Sequence, residues 1–246
     1  MHPTDSRRFL LINPNTNEQT TERLRKVLLP RLPQHVRLDV RTARFGAQYI
    51  ACEASHAVAA HACLDAWASD LAESPVQPDG VLIGCFGDPG LFALREASAC
   101  PVTGLAEASF ILAAQRGPFA IVTGGERWKP MLMRLAQGLG HDRLLRHIET
   151  VAPSGGALQA DPEMAIRCLA EACLQAARTG VESIILGGAG LAGYASSLQA
   201  QCPLPLIDSA TAGLEVLLGH LGPAATQRVN GFHAQWKDMP PAFVHS

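Results

Sequence analysis

Short apolar runs of four to six residues alternate along the chain with longer stretches rich in Ala and Leu. Apolar, β-branched runs are typical of buried strands in a parallel sheet, and the longer stretches are typical of the helices between them. The pattern predicts strands at residues 9–13, 36–40, 80–84, 102–104, 119–123, 145–150, 183–186 and 204–207. It predicts helices near residues 16–28, 52–72, 91–97, 106–114, 128–138, 162–178, 191–201 and 210–218. This alternation predicts an α/β fold with parallel sheets.

The two halves of the chain repeat one pattern. Residues 81–91 (VLIGCFGDPGL) precede a CPV segment, and residues 184–191 (IILGGAGL) precede a CPL segment. Aligning Gly84 with Gly187 shifts the chain by 103 residues. The repeat predicts two similar α/β halves, residues 1–115 and 116–208. A C-terminal segment from about residue 209 to 246 is expected to pack back on the first half.

Four strand ends are expected to meet in a crevice between these halves. Ligands of open α/β sheets bind at the carboxyl ends of the strands. The residues at or just after these ends are Asn13, Cys85, Thr123 and Gly188. The crevice is therefore the candidate binding site for a small molecule.

Cys85 is the candidate for acid–base chemistry. It follows an apolar strand and precedes a Gly-rich turn and a predicted helix. Backbone N–H groups at the start of a helix stabilise a thiolate, so we expect a pKa lowered toward neutrality. A thiol that titrates there is a competent general acid or base. The alternative interpretation is a buried cysteine with a purely structural role.

Two strand–turn–helix junctions are candidates for substrate binding. Residues 13–16 (NPNT) and 123–126 (TGGE) combine polar side chains with the free N–H groups of a helix start. Such groups can hold a carboxylate or imide oxygen, and they serve equally as ordinary helix caps. The candidate substrate-binding residues are Asn13, Asn15, Thr16, Phe86, Gly87, Thr123, Gly124, Gly188 and Ala189.

Residues 188–193 (GAGLAG) also match the dinucleotide fingerprint, with Asp208 twenty residues after Gly188. The motif comes late in the chain, and its repeat partner carries Cys85 where the first glycine of the motif is expected. We therefore favour a close approach of the backbone to a small ligand, with N–H groups as an oxyanion hole.

Composition and charge exclude several other classes. The formal net charge is −2 and the basic residues are scattered, which does not favour a nucleic-acid partner. We find neither an apolar run of membrane-spanning length nor a signal-peptide pattern, and the seven cysteines are odd in number. His56 and His61 are five residues apart, so no metal site is expected. The expectation is a cytoplasmic protein with a small-molecule substrate and no membrane partner.

With these motifs in place, the chain resembles the aspartate/glutamate racemase superfamily, most closely its hydantoin racemase branch. The resemblance rests on residues 13–16, 84–91, 101–104 (PVTG) with Glu107 and Ala108, 186–190 (LGGAG) and 205–208 (PLID), and it covers nearly the whole chain. It implies two pseudo-symmetric α/β domains with the active site in the cleft between them. It also implies a homo-oligomer and cofactor-independent chemistry at a carbon next to a carboxylate, amide or imide.

The racemases that the chain resembles use two cysteines, one from each half, on opposite faces of the substrate. One removes the α-proton and the other donates a proton from behind. Cys85 matches the first cysteine, and Gly188 occupies the position of the second. By its position after Thr123, Glu126 is the candidate for a replacement base, and Glu107 is a weaker one.

The missing second thiol keeps three functions open. A racemase or isomerase could use Cys85 with another base. A decarboxylase of the arylmalonate type needs one thiol, because loss of CO₂ creates the enediolate that the thiol protonates. A protein that retained the cleft and lost the chemistry would bind a small ligand without turnover.

Overall fold

Two parallel sheets form the centre of the protein. The computed structural model describes residues 6–151, 161–220, 236–237 and 239 of the 246-residue chain. The strands are β1 Arg7–Asn13, β2 Val36–Thr42, β3 Gly80–Ile83, β4 Val102–Gly104, β5 Phe119–Gly124, β6 Leu145–Val151, β7 Ser183–Gly187 and β8 Leu206–Asp208. The sheet orders are β2-β1-β3-β4 and β6-β5-β7-β8, with every neighbouring pair parallel. The matching orders confirm the predicted α/β class with two pseudo-symmetric halves.

Helices connect the strands and cover the sheets. In the described part of the chain they are α1 Glu18–Leu28, α2 Glu53–Glu73, α3 Leu91–Ala97, α4 Leu105–Ala114, α5 Trp128–Gly138, α6 Pro162–Ala177, α7 Tyr194–Leu198 and α8 Ser209–Gly219. Side-chain caps begin three of them: Asn17 for α1, Asp161 for α6 and Asp208 for α8. Across the described residues, no helix has both the length and the apolar character that a membrane crossing requires.

The predicted elements agree with the structure to within two residues at each end, with one exception. The helix predicted at residues 191–201 is wrong. A 3₁₀ turn at Ala189–Leu191, the short α7 and a second 3₁₀ turn at Gln199–Gln201 occupy this stretch. The Asp208 carboxylate accepts the Gly193 N–H at 2.6 Å while it also caps α8. A contact from the next strand end therefore interrupts the helix, and the fingerprint glycines do not open a long helix as a dinucleotide site requires.

One hydrophobic core joins the two halves. It includes Phe9 and Leu82 from the first sheet and Phe119 and Ile185 from the second. The rings of Phe110 on α4 and Phe119 are stacked with centroids 5.7 Å apart. Helices α4 and α8 pack on each other and contact strands of both sheets. Residues 221–235, 238 and 240–246 of the predicted C-terminal segment lie outside the described residues.

Candidate active site

A cavity lies between the halves, at the carboxyl ends of the central strands. It encloses about 700 Å³, counting its open mouth. Both halves supply its wall, which is formed by Asn15, Thr20, Tyr49, Ile50, Ala51, Cys85, Phe86, Thr123, Gly124, Gly125, Trp128, Gly187, Gly188, Ala189, Gly190 and Leu191. None of these described wall residues carries an acidic or basic side chain. The titratable groups of the wall are the Cys85 thiol and the Tyr49 phenol.

Cys85 lies two residues beyond β3, and its backbone is held by a tight turn. The N–H groups of Gly87 and Asp88 donate to the Cys85 carbonyl oxygen at 3.1 and 3.2 Å. The preceding Gly84 N–H donates to Ile12 O at 2.7 Å, which ties the strand end to β1. The Cys85 side chain is buried in the cavity wall. These contacts place the thiol at the position that the sequence predicted.

The prediction of a lowered pKa for Cys85 is wrong. Burial raises the pKa of the Cys85 thiol well above its ordinary value, and negative charge at Asp88 and Cys63 raises it further. The turn N–H groups bond the Cys85 carbonyl oxygen, and within the described residues no hydrogen bond reaches the sulfur. The resting thiol is therefore protonated at neutral pH. By contrast, a hydrogen bond with the Ser55 side chain lowers the pKa of Cys52 at the start of α2.

Asp88 anchors the turn that follows Cys85. Its carboxylate is buried and accepts the N–H groups of Ala106 and Glu107 at 2.9 and 2.7 Å, at the start of α4. Burial raises the pKa of Asp88 to about 7, although these N–H groups oppose the rise. Asp88 also has a φ of 49°, which is unusual for a residue with a side chain. The Asp88 carboxylate thus connects the Cys85 turn to α4.

We expect Asp88→Asn to flatten the pH dependence of stability. The folded-state pKa of Asp88, about 7, lies above its ordinary value of 3.8. The folded protein therefore retains this proton in a window where the unfolded chain has lost it. The stability that this provides is complete below about pH 4 and is lost as the pH rises to about 7. Across this window the free energy of unfolding of the wild type should fall by roughly a few kcal/mol more than that of the variant.

Urea unfolding at half-unit steps between pH 4 and 8 measures this difference. Glu96→Gln, which changes an exposed carboxyl on α3, is the matched control. Parallel pH profiles for the wild type and Asp88→Asn would contradict the raised pKa of Asp88.

The structure brings seven of the predicted site residues into the cavity wall. They are Asn15, Cys85, Phe86, Thr123, Gly124, Gly188 and Ala189. Asn13 lies beneath the wall, where its amide donates to Asn15, Asn17 and Thr21. Its contribution to the site is to hold the polar loop in place.

Three other predicted site residues lie outside the wall. The backbone N–H of Thr16 donates to Ala47 O at 3.1 Å. The residue that caps α1 is Asn17, and not Asn15 or Thr16. Gly87 lies in a neighbouring groove, where its carbonyl accepts a hydrogen bond from His56. The Glu126 side chain is 84% exposed and pairs with Lys129 at 3.7 Å. Glu126 therefore does not face the cavity, because the turn directs it to solvent.

Glu107, the weaker candidate base, is committed to a different network. Its carboxylate accepts hydrogen bonds from Arg95 at 2.6 Å and from Thr103 at 2.8 Å. The cavity wall does not include it. Neither glutamate that the sequence suggested is placed to act as the second base.

The connection between β2 and α2 contributes to the cavity wall, although the sequence did not indicate it. Residues 49–51 of this connection line the cavity together with Thr20 and Trp128. The rule that parallel strands present their carboxyl ends at one edge could have identified residues 49–51, because β2 belongs to the same sheet as β1 and β3. Thr20 had no such signal, because its exposure to the cavity depends on the orientation of α1.

Gly188 is the residue of the second half that corresponds to Cys85 in the repeat, and it has no side chain. Its φ of 149° lies in a region that residues with a Cβ rarely adopt, and an added Cβ would lie 3.3 Å from Leu191 Cγ. The Gly188 N–H donates to Ser209 Oγ at 3.2 Å, so it is already engaged. The oxyanion hole predicted from this N–H therefore lacks a free donor at Gly188.

Comparison with known proteins places the chain in a family. The family model for Asp/Glu/hydantoin racemases matches residues 9–217. The chain belongs to this family. Hydantoin racemase of Pseudomonas sp. (strain NS671) is 37% identical over 139 residues, which are 56% of this chain and 56% of that protein. That alignment thus spans little more than half the length of the relative.

Two further members of the family match along most of their length. Hydantoin racemase of Paenarthrobacter aurescens is 30% identical over 211 residues, which cover 85% of this chain and 89% of that protein. The structure of allantoin racemase from Klebsiella pneumoniae is 28% identical and has a TM-score of 0.85. The match covers 96% of each chain. The racemase fold therefore extends over both halves of this protein.

Proposed function

We propose that this protein is a cofactor-independent racemase or isomerase that transfers a proton at a carbon next to a carboxyl or imide carbonyl. Its substrate is a hydantoin-like compound or a small carboxylic acid, and Cys85 is the catalytic acid–base residue. The observation that carries the proposal is the Cys85 thiol in the wall of the cavity between the two halves. The relatives named as hydantoin and allantoin racemases support the substrate class.

The electrostatics of Cys85 support a role that begins with proton donation. The raised pKa keeps the thiol protonated in the free protein. A protonated thiol donates readily to a carbanion or enolate, and the thiolate that results is a strong base with a high affinity for a proton. The thiolate is then ready to remove a proton from the same face of the next substrate.

Racemisation requires a second acid–base group on the other face of the substrate. Among the described residues of the cavity wall, Tyr49 is the other titratable side chain. It is 40% exposed and belongs to the connection after β2. We propose Tyr49, acting as its phenolate, as the second group: it removes the α-proton, and the Cys85 S–H then donates a proton to the same carbon. Glu126 is not proposed, because it points to solvent.

A decarboxylase is the second candidate, and Gly188 is the observation that favours it. In this reaction the bond to the departing carboxylate breaks, CO₂ leaves, and the electron pair passes to the remaining carbonyl as an enediolate. The Cys85 S–H then protonates the carbon, and water restores the thiol. This reaction needs one proton donor on one face of the substrate. A protonated Cys85 supplies that donor, and Gly188 has no side chain that could act as a second one.

Reaction in D₂O distinguishes these functions. The protein is incubated with optically pure 5-substituted hydantoins, with allantoin and with α-substituted malonates, and products are analysed by mass and chirality. Deuterium uptake with loss of optical purity supports a racemase, and Tyr49→Phe should then slow racemisation more than single-face exchange. Loss of CO₂ with uptake of one deuterium at carbon supports the decarboxylase. Binding of these compounds with neither exchange nor CO₂ loss would contradict both.

A further inference from the structure

Thr20 carries a buried hydroxyl without a partner among the described residues. It is the third residue of α1, is 2% exposed and lines the cavity. Within the described residues its Oγ1 forms no hydrogen bond. Buried polar groups in proteins are nearly always hydrogen-bonded, and leaving one unpaired costs stability. Because Thr20 lies in the cavity wall, a molecule bound in the cavity is a candidate partner for this hydroxyl.

The surrounding helix start explains why this hydroxyl stays unpaired. A helical threonine often donates to the carbonyl three or four residues earlier. The nearby Asn17 carbonyl already accepts from Asn13 Nδ2 and from the N–H groups of Thr20 and Thr21. The adjacent hydroxyl of Thr21 is fully engaged, because it bonds Asn13 Nδ2 at 2.9 Å and Thr42 Oγ1 at 2.7 Å. The two neighbouring threonines thus differ: the Thr21 hydroxyl holds the structure together, and the Thr20 hydroxyl is left without a hydrogen bond.

Two further polar groups belong to residues of the wall and form no hydrogen bond among the described residues, although they are not buried as completely as the Thr20 hydroxyl. Asn15 Oδ1 accepts from Asn13 Nδ2 at 3.0 Å and from the Asn17 N–H at 2.9 Å, which fixes the orientation of the amide. Its Nδ2 has no partner among the described residues and remains a donor. The Thr123 hydroxyl, at the end of β5, likewise has no partner there. Both halves therefore present neutral, unpaired polar groups to one cavity.

We propose that the Thr20 hydroxyl binds the substrate and selects for a neutral amide, imide or ureido group. This inference rests on the proposed function and names the residue and the chemical group that it recognises. An amide or ureido group has both carbonyl acceptors and N–H donors. A hydroxyl can pair with either, and Asn15 Nδ2 can donate to the carbonyl. A carboxylate offers acceptors alone, and the described wall holds no cation to offset its charge.

The adjacent threonines provide the test. Thr20→Val keeps the shape and removes the unpaired hydroxyl, so the melting temperature of the free protein should rise by about 2–4 °C. Thr21→Val removes a satisfied hydroxyl and should lower it by a similar amount or more, roughly 2–4 °C. Thr20→Ser restores a hydroxyl at the same place. A merely structural role for Thr20 would lower stability and leave binding unchanged.

Binding is measured by calorimetry with 5-benzylhydantoin and with phenylmalonate, each variant being combined with Cys85→Ser so that proton transfer plays no part. We expect Thr20→Val to raise the Kd for the hydantoin about 10-fold and Thr20→Ser to keep it within about 3-fold. An unchanged Kd in Thr20→Val overturns the role of Thr20. Phenylmalonate binding more tightly than the hydantoin overturns the neutral class. A hydantoin that binds through Thr20 but never exchanges its proton in the protein with Cys85 intact would instead refute the proposed function alone.

Discussion

Replacing Cys85 with Ser lowers the rate of proton transfer by about 10³-fold, which is the middle of the range for loss of a general acid–base group. A serine hydroxyl has nearly the shape of the thiol but is a much weaker acid, so it neither donates to an enolate nor forms a useful base. The protein should remain folded, because the turn around residue 85 depends on the backbone carbonyl and not on the sulfur. Deuterium incorporation per minute into the best substrate of the D₂O panel measures the effect.

Cys52→Ser is the matched control for this substitution. Cys52 is a thiol outside the cavity wall, and its pKa is lowered by contact with Ser55. We expect Cys52 to react with iodoacetamide before Cys85. Alkylation of the wild type would therefore report mainly on Cys52 and not on the thiol in the cavity wall. Full activity in Cys52→Ser and its loss in Cys85→Ser would support the assignment. More than a tenth of the wild-type rate in Cys85→Ser would exclude Cys85 as the acid–base group.

Replacing Gly188 with Cys increases the rate of racemisation about 10²-fold or more, because it supplies a second thiol from the second half. The family resemblance places a cysteine at this position, and the wild type has no side chain there. Two thiols on opposite faces should exchange protons faster than the proposed pair of Cys85 and Tyr49, and exchange from both faces scrambles the configuration of the substrate. Chiral chromatography of the recovered substrate, together with its deuterium content, gives the ratio of racemisation to exchange.

The Gly188→Cys protein should also be less stable. The φ of 149° disfavours any residue with a Cβ, and that atom would lie 3.3 Å from Leu191 Cγ. We expect a cost of about 1–3 kcal/mol in the free energy of unfolding. Gly188→Ser imposes the same strain without a thiol and is the control. Racemisation by Gly188→Ser at the rate of Gly188→Cys would show that the second thiol is not responsible.

The position of Cys85 was predictable from the sequence because local patterns determine it. An apolar, β-branched run forms β3, and the Gly-rich turn ends it, so the residue between them lies at the carboxyl end of a central strand. The 103-residue repeat carries Gly80 onto Ser183, the first residues of β3 and β7, and carries Ile83, the end of β3, onto Leu186, one residue before the end of β7. Hydrophobic periodicity and repetition were sufficient for the fold class and the location of the cleft.

The protonation state of Cys85 was not predictable in this way. The sequence shows the turn and the helix that follow but not how deeply the thiol is buried. Enclosure of the sulfur raises the pKa, whereas the expected N–H donors bond the carbonyl oxygen. The same limit applies to Glu126, whose place after a strand end says nothing about the direction of its side chain.

The sequence by itself determined the α/β class, the two halves, the family resemblance and the position of Cys85, the candidate acid–base residue. Each of these depends on interactions between residues that are close in the chain or on a repeated pattern. The tertiary structure decided which polar groups face the cavity, leaving the Thr20 hydroxyl open while Thr21 is engaged. It also interrupted the helix predicted at residues 191–201 through the contact from Asp208 to Gly193. Burial and long-range hydrogen bonds depend on segments that are distant in sequence, so only the folded chain specifies them.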